Sequence, residues 1–470
     1  MNRLVVGSAA LAAFLSFALR AHAEIYLDVE PDPLPLVDIT VVVPAGFEAV
    51  SPGETGAAKL MEDILEAGTA RLDRQTFLDR LASFGASANF SESNLYSIWS
   101  LSFPVVESKD YSALVSLAAE NWRSPRLTDE SFAIAVRKLE ASLQAGLDSD
   151  MSLGVSTTRR WIDRKEFGGH PITLDAVASI RRETVADVWA RDFLAAKEIW
   201  AGVVAPESSL PLVRSILTGV FSGQGKIVES SKPRTLGLRE VSAEHLNKDR
   251  VFLVIDKPER TQTMTSVIAV SAHHYSAEDE LGAMFGDHVL VGSGLGSIFG
   301  EEIRTKRGLA YDVSGVQPFF LGHPSLGLAT NPVRPKADEA LGVVSNLVDA
   351  AYERGSVIDE IPEERWATQW QSFLYGRLLD RSSPGGRLAE RMEVAVGQLS
   401  PKLYSREITK WKTSRSDVKN ALRGTWADSV VIGAVVGDAK ELRPLVEKHF
   451  PSYRTVEIPY RESIRSHTYE

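Results

Sequence analysis

The residues best suited to chemistry lie in segment 302–311, where an arginine and a tyrosine stand seven positions apart. Arg304 carries five hydrogen-bond donors on a group that keeps its charge, and Tyr311 adds a hydroxyl. Together they could hold an amide carbonyl and stabilise the charge that develops on its oxygen. Taken alone, this spacing favours a plainer arrangement, in which the arginine lies on a helix surface and the tyrosine packs in a sheet.

Length and composition indicate a globular protein of more than one domain. The 470 residues exceed the size at which one hydrophobic core keeps growing, and 44% of them are hydrophobic while 24% are charged. The formal net charge of −10 argues against a nucleic-acid-binding protein, which needs a basic surface. Because the chain has no cysteine, disulfides, thiol nucleophiles and thiolate metal ligands are excluded.

The N-terminus is typical of a cleaved export signal. Arg3 precedes an apolar stretch at 4–19, and an A-x-A cleavage site ends at Ala23. We therefore expect residues 1–23 to be removed and the mature protein to be periplasmic. A retained anchor is the alternative, although the apolar stretch is short for a membrane span. No later segment reaches 18 consecutive apolar residues, so we expect no span in the mature chain.

The two halves of the chain repeat one another. An apolar strand is predicted at 37–43 and again at 266–270, and a helix pattern follows each of them. The end of each half carries a stronger similarity, because segments 200–205 and 431–437 both fit a buried strand that precedes a helix. An ordered series of matching elements favours a duplication over chance similarity.

The duplication sets the predicted domain boundaries. The first helix carries an apolar stripe that Gly68 closes, whereas Ser276 with Asp279 predicts the capped start of its counterpart. The polar stretch 229–250 is the natural linker. We therefore predict an N-terminal domain at 24–228 and a C-terminal domain at 251–470.

The motif Arg304, three residues, then Gly308-Leu309-Ala310-Tyr311 resembles the C-terminal motif of the insulinase/pitrilysin family of zinc metallopeptidases, in its mitochondrial-processing-peptidase-like form. The resemblance implies an α+β fold of two tandem domains arranged as a clamshell around a peptide. Each domain would be a mostly antiparallel sheet with helices packed on one face. Arg307 directly precedes the glycine, but the family spacing selects Arg304.

The family's catalytic motif is degenerate here. The resemblance places an inverted His-x-x-Glu-His zinc motif on the first helix, where this chain has Lys59-Leu60-Met61-Glu62-Asp63. A protonated lysine cannot bind a metal, so we expect no zinc in this chain. Lys59 and Asp63 lie four apart on one helical face and can pair instead, although this order is the weaker one. Glu62 loses its general-base task and is expected to solvate the helix face.

Three further positions bear on a metal or substrate site. The family's third zinc ligand is a glutamate about 75 residues downstream, and the register leaves open whether Glu140 occupies that position. No two histidines of the mature chain lie four apart, so no second zinc site is predicted. A hairpin near Asn89 resembles the edge strand that pairs with substrate in catalytic relatives, although a purely structural strand is favoured here.

Retention of one motif beside loss of the other predicts a non-catalytic subunit of a heterodimeric periplasmic zinc endopeptidase. Arg304 and Tyr311 would bind an unfolded peptide and stabilise its oxyanion opposite the zinc of a partner that carries His-x-x-Glu-His. The chain alone is not expected to be active. The alternative is a non-enzymatic peptide-binding or assembly scaffold, as in the core subunits of the respiratory cytochrome bc1 complex.

Overall fold

The computed structural model describes residues 23–46, 51–230, 234–238, 250–316, 319–320 and 322–470. All but the last residue of the predicted signal at 1–23 lies outside this part of the chain, as does most of the predicted linker. Among the described residues, no helix combines the length and the apolar character that a membrane crossing requires.

Each half of the chain builds one open sheet. The first sheet has the order β3-β4-β2-β5-β1-β6. Its strands are β1 (Ala23–Pro31), β2 (Leu36–Val43), β3 (Ser87–Glu92), β4 (Ser97–Pro104), β5 (Glu198–Ala205) and β6 (Gly225–Glu229). Strand β1 runs parallel to β5 and β6, whereas the other three pairings are antiparallel.

The second sheet repeats this order as β10-β11-β8-β12-β7-β13, with β9 also paired to β11. Its strands are β7 (Val251–Asp256), β8 (Met264–Ser271), β9 (Ala310–Gly315), β10 (Phe319–Phe320), β11 (His323–Pro332), β12 (Ser429–Gly437) and β13 (Arg454–Pro459). Strand β7 is parallel to both of its neighbours, as β1 is in the first sheet. The related topology confirms the predicted α+β class with two similar domains.

Helices connect the strands in both halves. Those of the first half are α1 (Ala57–Glu66), α2 (Arg74–Ser83), α3 (Ser112–Arg123), α4 (Asp129–Ala145), α5 (Asp150–Trp161), α6 (Leu174–Ser179), α7 (Arg182–Val188) and α8 (Leu210–Val220). Those of the second half are α9 (Ala277–Asp287), α10 (Ile298–Gly300), α11 (Ala337–Val348), α12 (Ser356–Asp359), α13 (Glu363–Asp380), α14 (Pro384–Ala395), α15 (Pro401–Tyr404), α16 (Arg415–Ala427) and α17 (Ala439–His449).

Several helices end in a wider π-helical turn, and short 3-10 turns lie between other elements. The π-helical turns are Ile162–Glu166, Trp189–Leu194, His288–Gly292, Glu301–Thr305 and Asp349–Glu353. The 3-10 turns are Pro52–Glu54, Glu207–Ser209, Gly294–Gly296, Arg334–Lys336, Ile408–Lys410, Glu462–Ile464 and Ser466–Tyr469. Because the π-type turns follow an α-helix directly, they redirect the chain without a loop.

Local sequence explains the two helices that matter most for the sites. Helix α1 buries the predicted apolar stripe, which consists of Leu60, Met61, Ile64 and Leu65. Helix α9 begins at Ser276, whose side chain accepts a hydrogen bond from the amide of Asp279 at the predicted cap. Each helix is the first long one after the second strand of its sheet.

Each sheet packs its own helices on one face, as predicted, and a helix from the other half on the opposite face. The helix α5 belongs to the first half but packs on β8 and β12 of the second sheet. Its Leu153 and Trp161 are buried in an apolar cluster with residues of β7, β8 and β12. A Cβ atom on Gly154 would lie 2.4 Å from the sulfur of Met264, so glycine permits this close approach.

The helix α14 makes the reciprocal contact on the first sheet. It packs against β1 and β5, where Leu388 joins an apolar cluster that contains Tyr26 and Trp200. A Cβ atom on Gly202 of β5 would lie 2.8 Å from Leu388, so a glycine again permits the contact. Each half therefore completes the core of the other.

Ion pairs reinforce the contact between α14 and β1. Arg391 binds the carboxylates of Asp28 and Glu30, whose side chains are only 5% and 6% exposed. Arg387 binds Glu30 at 3.0 Å. Burial raises the pKa of Asp28, and the charge of Arg391 opposes that shift. Two buried carboxylates thus depend on cations from the other half of the chain.

We expect Arg391→Met to lower the free energy of unfolding by about 3 kcal/mol, because it leaves the buried carboxylate of Asp28 without a counter-charge. Arg443→Met is the matched control, since Arg443 pairs with Glu447 on an exposed helix face at 3.0 Å, and should cost less than about 0.5 kcal/mol. Denaturant unfolding of both variants measures the difference. Equal stabilities would contradict the role assigned to this contact.

Candidate functional site

The turn between the π-helical segment at Glu301–Thr305 and β9 positions the arginine and the tyrosine. The amide of Gly308 donates to the carbonyl of Arg304 at 3.0 Å, and the amide of Leu309 donates to that of Ile303 at 2.8 Å. Gly308 has a φ of +57°, which a residue with a side chain rarely adopts. This closure reverses the chain, so that Tyr311 follows at the start of β9.

Arg304 and Tyr311 form a stacked pair on the protein surface. The guanidinium carbon lies 4.2 Å from the centre of the tyrosine ring, a favourable cation–π geometry. The tyrosine side chain is 79% exposed, so it is not the packed sheet residue of the plainer arrangement. Among the described residues, Arg304 has no ion pair and no side-chain hydrogen bond, which leaves its donors available to a ligand.

The neighbouring cations are committed to local partners. Arg307 binds the side chain and the carbonyl of Glu302. Lys306 binds Glu302 at 2.6 Å and Glu301 at 3.1 Å. A hydrogen bond from Lys306 lowers the pKa of Glu302, and one from Arg365 lowers the pKa of Glu301. Arg304 is therefore the one uncommitted cation of its turn.

The degenerate zinc motif is organised around Lys59. Its ammonium lies 2.6 Å from Glu62 and 2.8 Å from Glu92, which ends strand β3. The predicted pairing of Lys59 with Asp63 was wrong, because Lys138 of α4 binds Asp63 at 2.5 Å. Lys59 instead binds Glu92 on strand β3, 33 positions along the chain. Spacing along one helix predicts only partners on that helix, so it could not reveal this pair.

Charge compensation decides the protonation of this cluster. The side chain of Glu92 is fully buried, and burial raises its pKa to about 7 against the opposing charge of Lys59. Burial also acts against the ammonium of Lys59, but the carboxylates of Glu92 and Glu62 outweigh it and raise its pKa. The lysine remains charged at neutral pH and neutralises the buried acid.

These residues do not fit a zinc ion. Zinc requires several free nitrogen, sulfur or oxygen ligands, whereas the carboxylates of Glu62, Asp63 and Glu92 are each bound by a lysine. Among the described residues, Glu140 forms no ion pair with the motif. The side chain of α4 that binds the motif is Lys138, which pairs with Asp63. The described part of the chain contains no group of three His, Cys, Asp or Glu residues arranged for a metal.

The predicted edge strand lies beside this cluster. Asn89 is exposed on β3, and β3 pairs with β4 alone among the described strands. One edge of β3 therefore presents unpaired backbone groups, and the strand ends at the Lys59–Glu92 ion pair. Such an edge can accept an extended peptide as an additional strand.

We expect Lys59→Met to destabilise the protein by about 2 kcal/mol at pH 8, where Glu92 is ionised and would lose its buried partner. The loss should shrink by at least about 1 kcal/mol at pH 5, because the raised pKa of Glu92 keeps its carboxyl protonated there. Lys138→Met removes an exposed pair and should cost less than about 0.5 kcal/mol at both values.

Unfolding curves of the variants at both pH values provide the test. A Lys59→Met loss that is the same at pH 5 and pH 8 would contradict the proposed ion pair.

Similarity to known proteins was found by comparing structures and not by comparing sequences. A scan against known protein families gave no match, and no curated protein matched the sequence. The peptidase M16 inactive domain from Pseudomonas fluorescens has a TM-score of 0.70 at 15% identity, over 89% of this chain and 96% of that one.

Two proteases have a comparable likeness. A protease from Helicobacter pylori has a TM-score of 0.65 at 13% identity, over 88% of this chain and 98% of that one. The periplasmic protease PqqL from Escherichia coli has a TM-score of 0.65 at 12% identity, over 87% of this chain and 43% of that one. The chain therefore has the fold of M16, insulinase-like peptidases and of their inactive domain, which confirms the predicted resemblance at the level of fold.

Proposed function

We propose that the chain is the non-catalytic subunit of a heterodimeric zinc endopeptidase, to which it contributes Arg304 and Tyr311. The observation that carries the proposal is the stacked pair itself, because within the described part of the chain the arginine has no ion pair and the tyrosine is highly exposed. The pair presents hydrogen-bond donors to solvent on an element held by a glycine turn. Donors fixed in this way suit a developing oxyanion.

The other half of the chain supports a division of labour between two subunits. Lys59 takes the position of a metal-ligand residue in the motif and is held by Glu62 and Glu92. The zinc and the His-x-x-Glu-His motif would therefore belong to the partner. One of the structural neighbours is itself described as the inactive domain of an M16 peptidase, which fits a subunit of this kind.

The proposed task of the pair follows from charge. When the amide carbonyl of a bound peptide becomes tetrahedral, its oxygen gains negative charge. The guanidinium of Arg304 and the hydroxyl of Tyr311 would donate hydrogen bonds to this oxygen or to the adjacent carbonyl. The stacked ring limits the motion of the arginine, so less conformational entropy is lost when the peptide binds.

The substrate and the compartment complete the proposal. An unfolded peptide would lie extended between the two subunits, and the open edge of β3 near Asn89 offers it main-chain hydrogen bonds. The apolar N-terminus with its A-x-A site favours export, and one structural neighbour is a periplasmic protease. These observations support our proposal that the complex acts in the periplasm.

The test uses the chain reconstituted with its partner, sought as a protein that carries His-x-x-Glu-His and is encoded beside it. We expect Arg304→Ala and Tyr311→Phe each to lower peptide turnover about 100-fold or more, since each removes an oxyanion donor. Arg307→Ala is the matched control from the same turn, and its turnover should stay within about twofold of wild type because Arg307 is bound to Glu302.

Peptidase assays on the three reconstituted variants separate the alternatives. If Arg304→Ala and Tyr311→Phe keep wild-type turnover in an active complex, the shared-site proposal fails. A complex that forms without any peptidase activity supports the alternative, a peptide-binding or assembly scaffold of the same fold.

A further inference from the structure

A second polar site lies in the C-terminal half, apart from the Arg304–Tyr311 pair and the Lys59 cluster. It is a cavity of about 340 Å³ between α9, α13 and the beginning of β11. Its walls include the apolar side chains of Met284, Phe319 and Phe373. A concave, largely apolar site of this volume is the kind that binds small molecules.

The cavity contains a carboxylate that lacks a counter-charge. Asp287 is the last residue of α9, and it has no ion pair or hydrogen bond within the described part of the chain. Strand β9 closes over it, because a Cβ atom on Gly315 would lie 3.3 Å from its Oδ1. Burial raises the pKa of Asp287 to about 6, so the group is mostly ionised at pH 7.5.

Other charged groups of the cavity do not neutralise this acid. Arg377 is the one guanidinium of the lining, and it is bound to Glu390 at 2.9 Å and lies 3.7 Å from Glu393. Glu280 and Asp380 also line the cavity, and both are acids. Three carboxylates therefore face one cation that is already committed, which makes the cavity electronegative.

A neighbouring imidazole adds no positive charge. His288 lines the same cavity, its Nε2 is buried, and burial lowers the pKa of the ring against a hydrogen bond with Gln369. The ring is therefore neutral at pH 7.5 and does not offset the charge of Asp287. An uncompensated carboxylate in an apolar cavity matches a donor-rich cation.

The N-terminal half shows how this protein treats a buried acid when a cation is present. There Glu92, which lies against the equivalent first helix, is neutralised at 2.8 Å by Lys59 of the chain itself. In the C-terminal half, the described residues include a partly buried acid, Asp287, and no cation paired with it. Asp287 therefore lacks the counter-charge that Lys59 gives to Glu92.

We propose that the cavity binds a small organic cation, a primary amine with an apolar body, whose ammonium group pairs with Asp287. An ammonium has three N–H donors, and the two oxygens of the Asp287 carboxylate can accept charge-assisted hydrogen bonds from them. The apolar body packs against Met284, Phe319 and Phe373. Because the site is formed by this chain alone, it does not depend on a partner subunit or on peptide cleavage.

The experiment compares 2-phenylethylamine with 2-phenylethanol, a neutral analogue of nearly equal shape, by calorimetry on the full mature chain at pH 7.5. We expect wild type to bind the amine at least 10-fold more tightly than the alcohol. In Asp287→Asn this preference should fall to within twofold, whereas the protein should melt no lower than wild type, because an unpaired buried charge is removed. Glu447→Gln, which removes an exposed acid outside this lining, should keep the preference.

A second comparison identifies the source of the amine. The affinity of a blocked Ala-Lys-Ala peptide is compared with that of the same peptide with norleucine in place of lysine. If wild type prefers the lysine peptide and Asp287→Asn does not, the site binds a peptide side chain. Binding of 2-phenylethylamine without that preference assigns it to a free amine. The proposal is overturned if neither ligand binds, if the alcohol binds as tightly as the amine, or if Asp287→Asn keeps the preference. Should that variant fail to fold, the comparison on wild type still decides.

Discussion

The exchange of one helix between the two halves is the contact on which the rest of the structure depends. Helix α5 of the first half fills the open face of the second sheet, and α14 of the second half fills that of the first. Each fully buried large apolar side chain at such a contact contributes roughly 2 kcal/mol, and neither sheet could stay open to water without it. Among the described residues, the buried acids of β1 also pair with arginines of α14.

Compensation of charge distinguishes three polar sites in the described part of the chain. In the degenerate motif a lysine of the chain neutralises Glu92, so the cluster is closed and has no position for a metal. At the turn before β9 the charge of Arg304 stays open to solvent beside an exposed ring. In the C-terminal cavity Asp287 is the group without a partner. A charge that is paired within the chain stabilises the fold. A charge without a partner can instead form an ion pair or hydrogen bonds with a ligand, so we expect ligands at the other two sites.

Local patterns were predictable from the sequence and distant contacts were not. The periodicity of apolar residues predicted the buried stripe on α1 and the repeated order of strand and helix, and capping chemistry predicted the helix start at Ser276. The structure contains all three features. The partner of Lys59 was missed because Glu92 lies on a different element, although its place at the end of the hairpin near Asn89 was a signal that could have been used. The exchange of α5 and α14 has no local signature, since an apolar helix face does not reveal which sheet it will cover.

A distance measurement tests most directly whether Arg304 and Tyr311 face the metal of a partner. Because the chain has no cysteine, Asp312→Cys gives one thiol beside Tyr311 for a nitroxide label, and Mn²⁺ can replace the partner's zinc as the second spin. A peptide strand lies about 4.8 Å from each neighbour, so two walls around it stand about 10 Å apart. Allowing for the label, we predict a label-to-metal distance within about 15 Å in the peptide-bound complex. A stable complex with a distance beyond about 30 Å, many strand widths away, would contradict a shared active site.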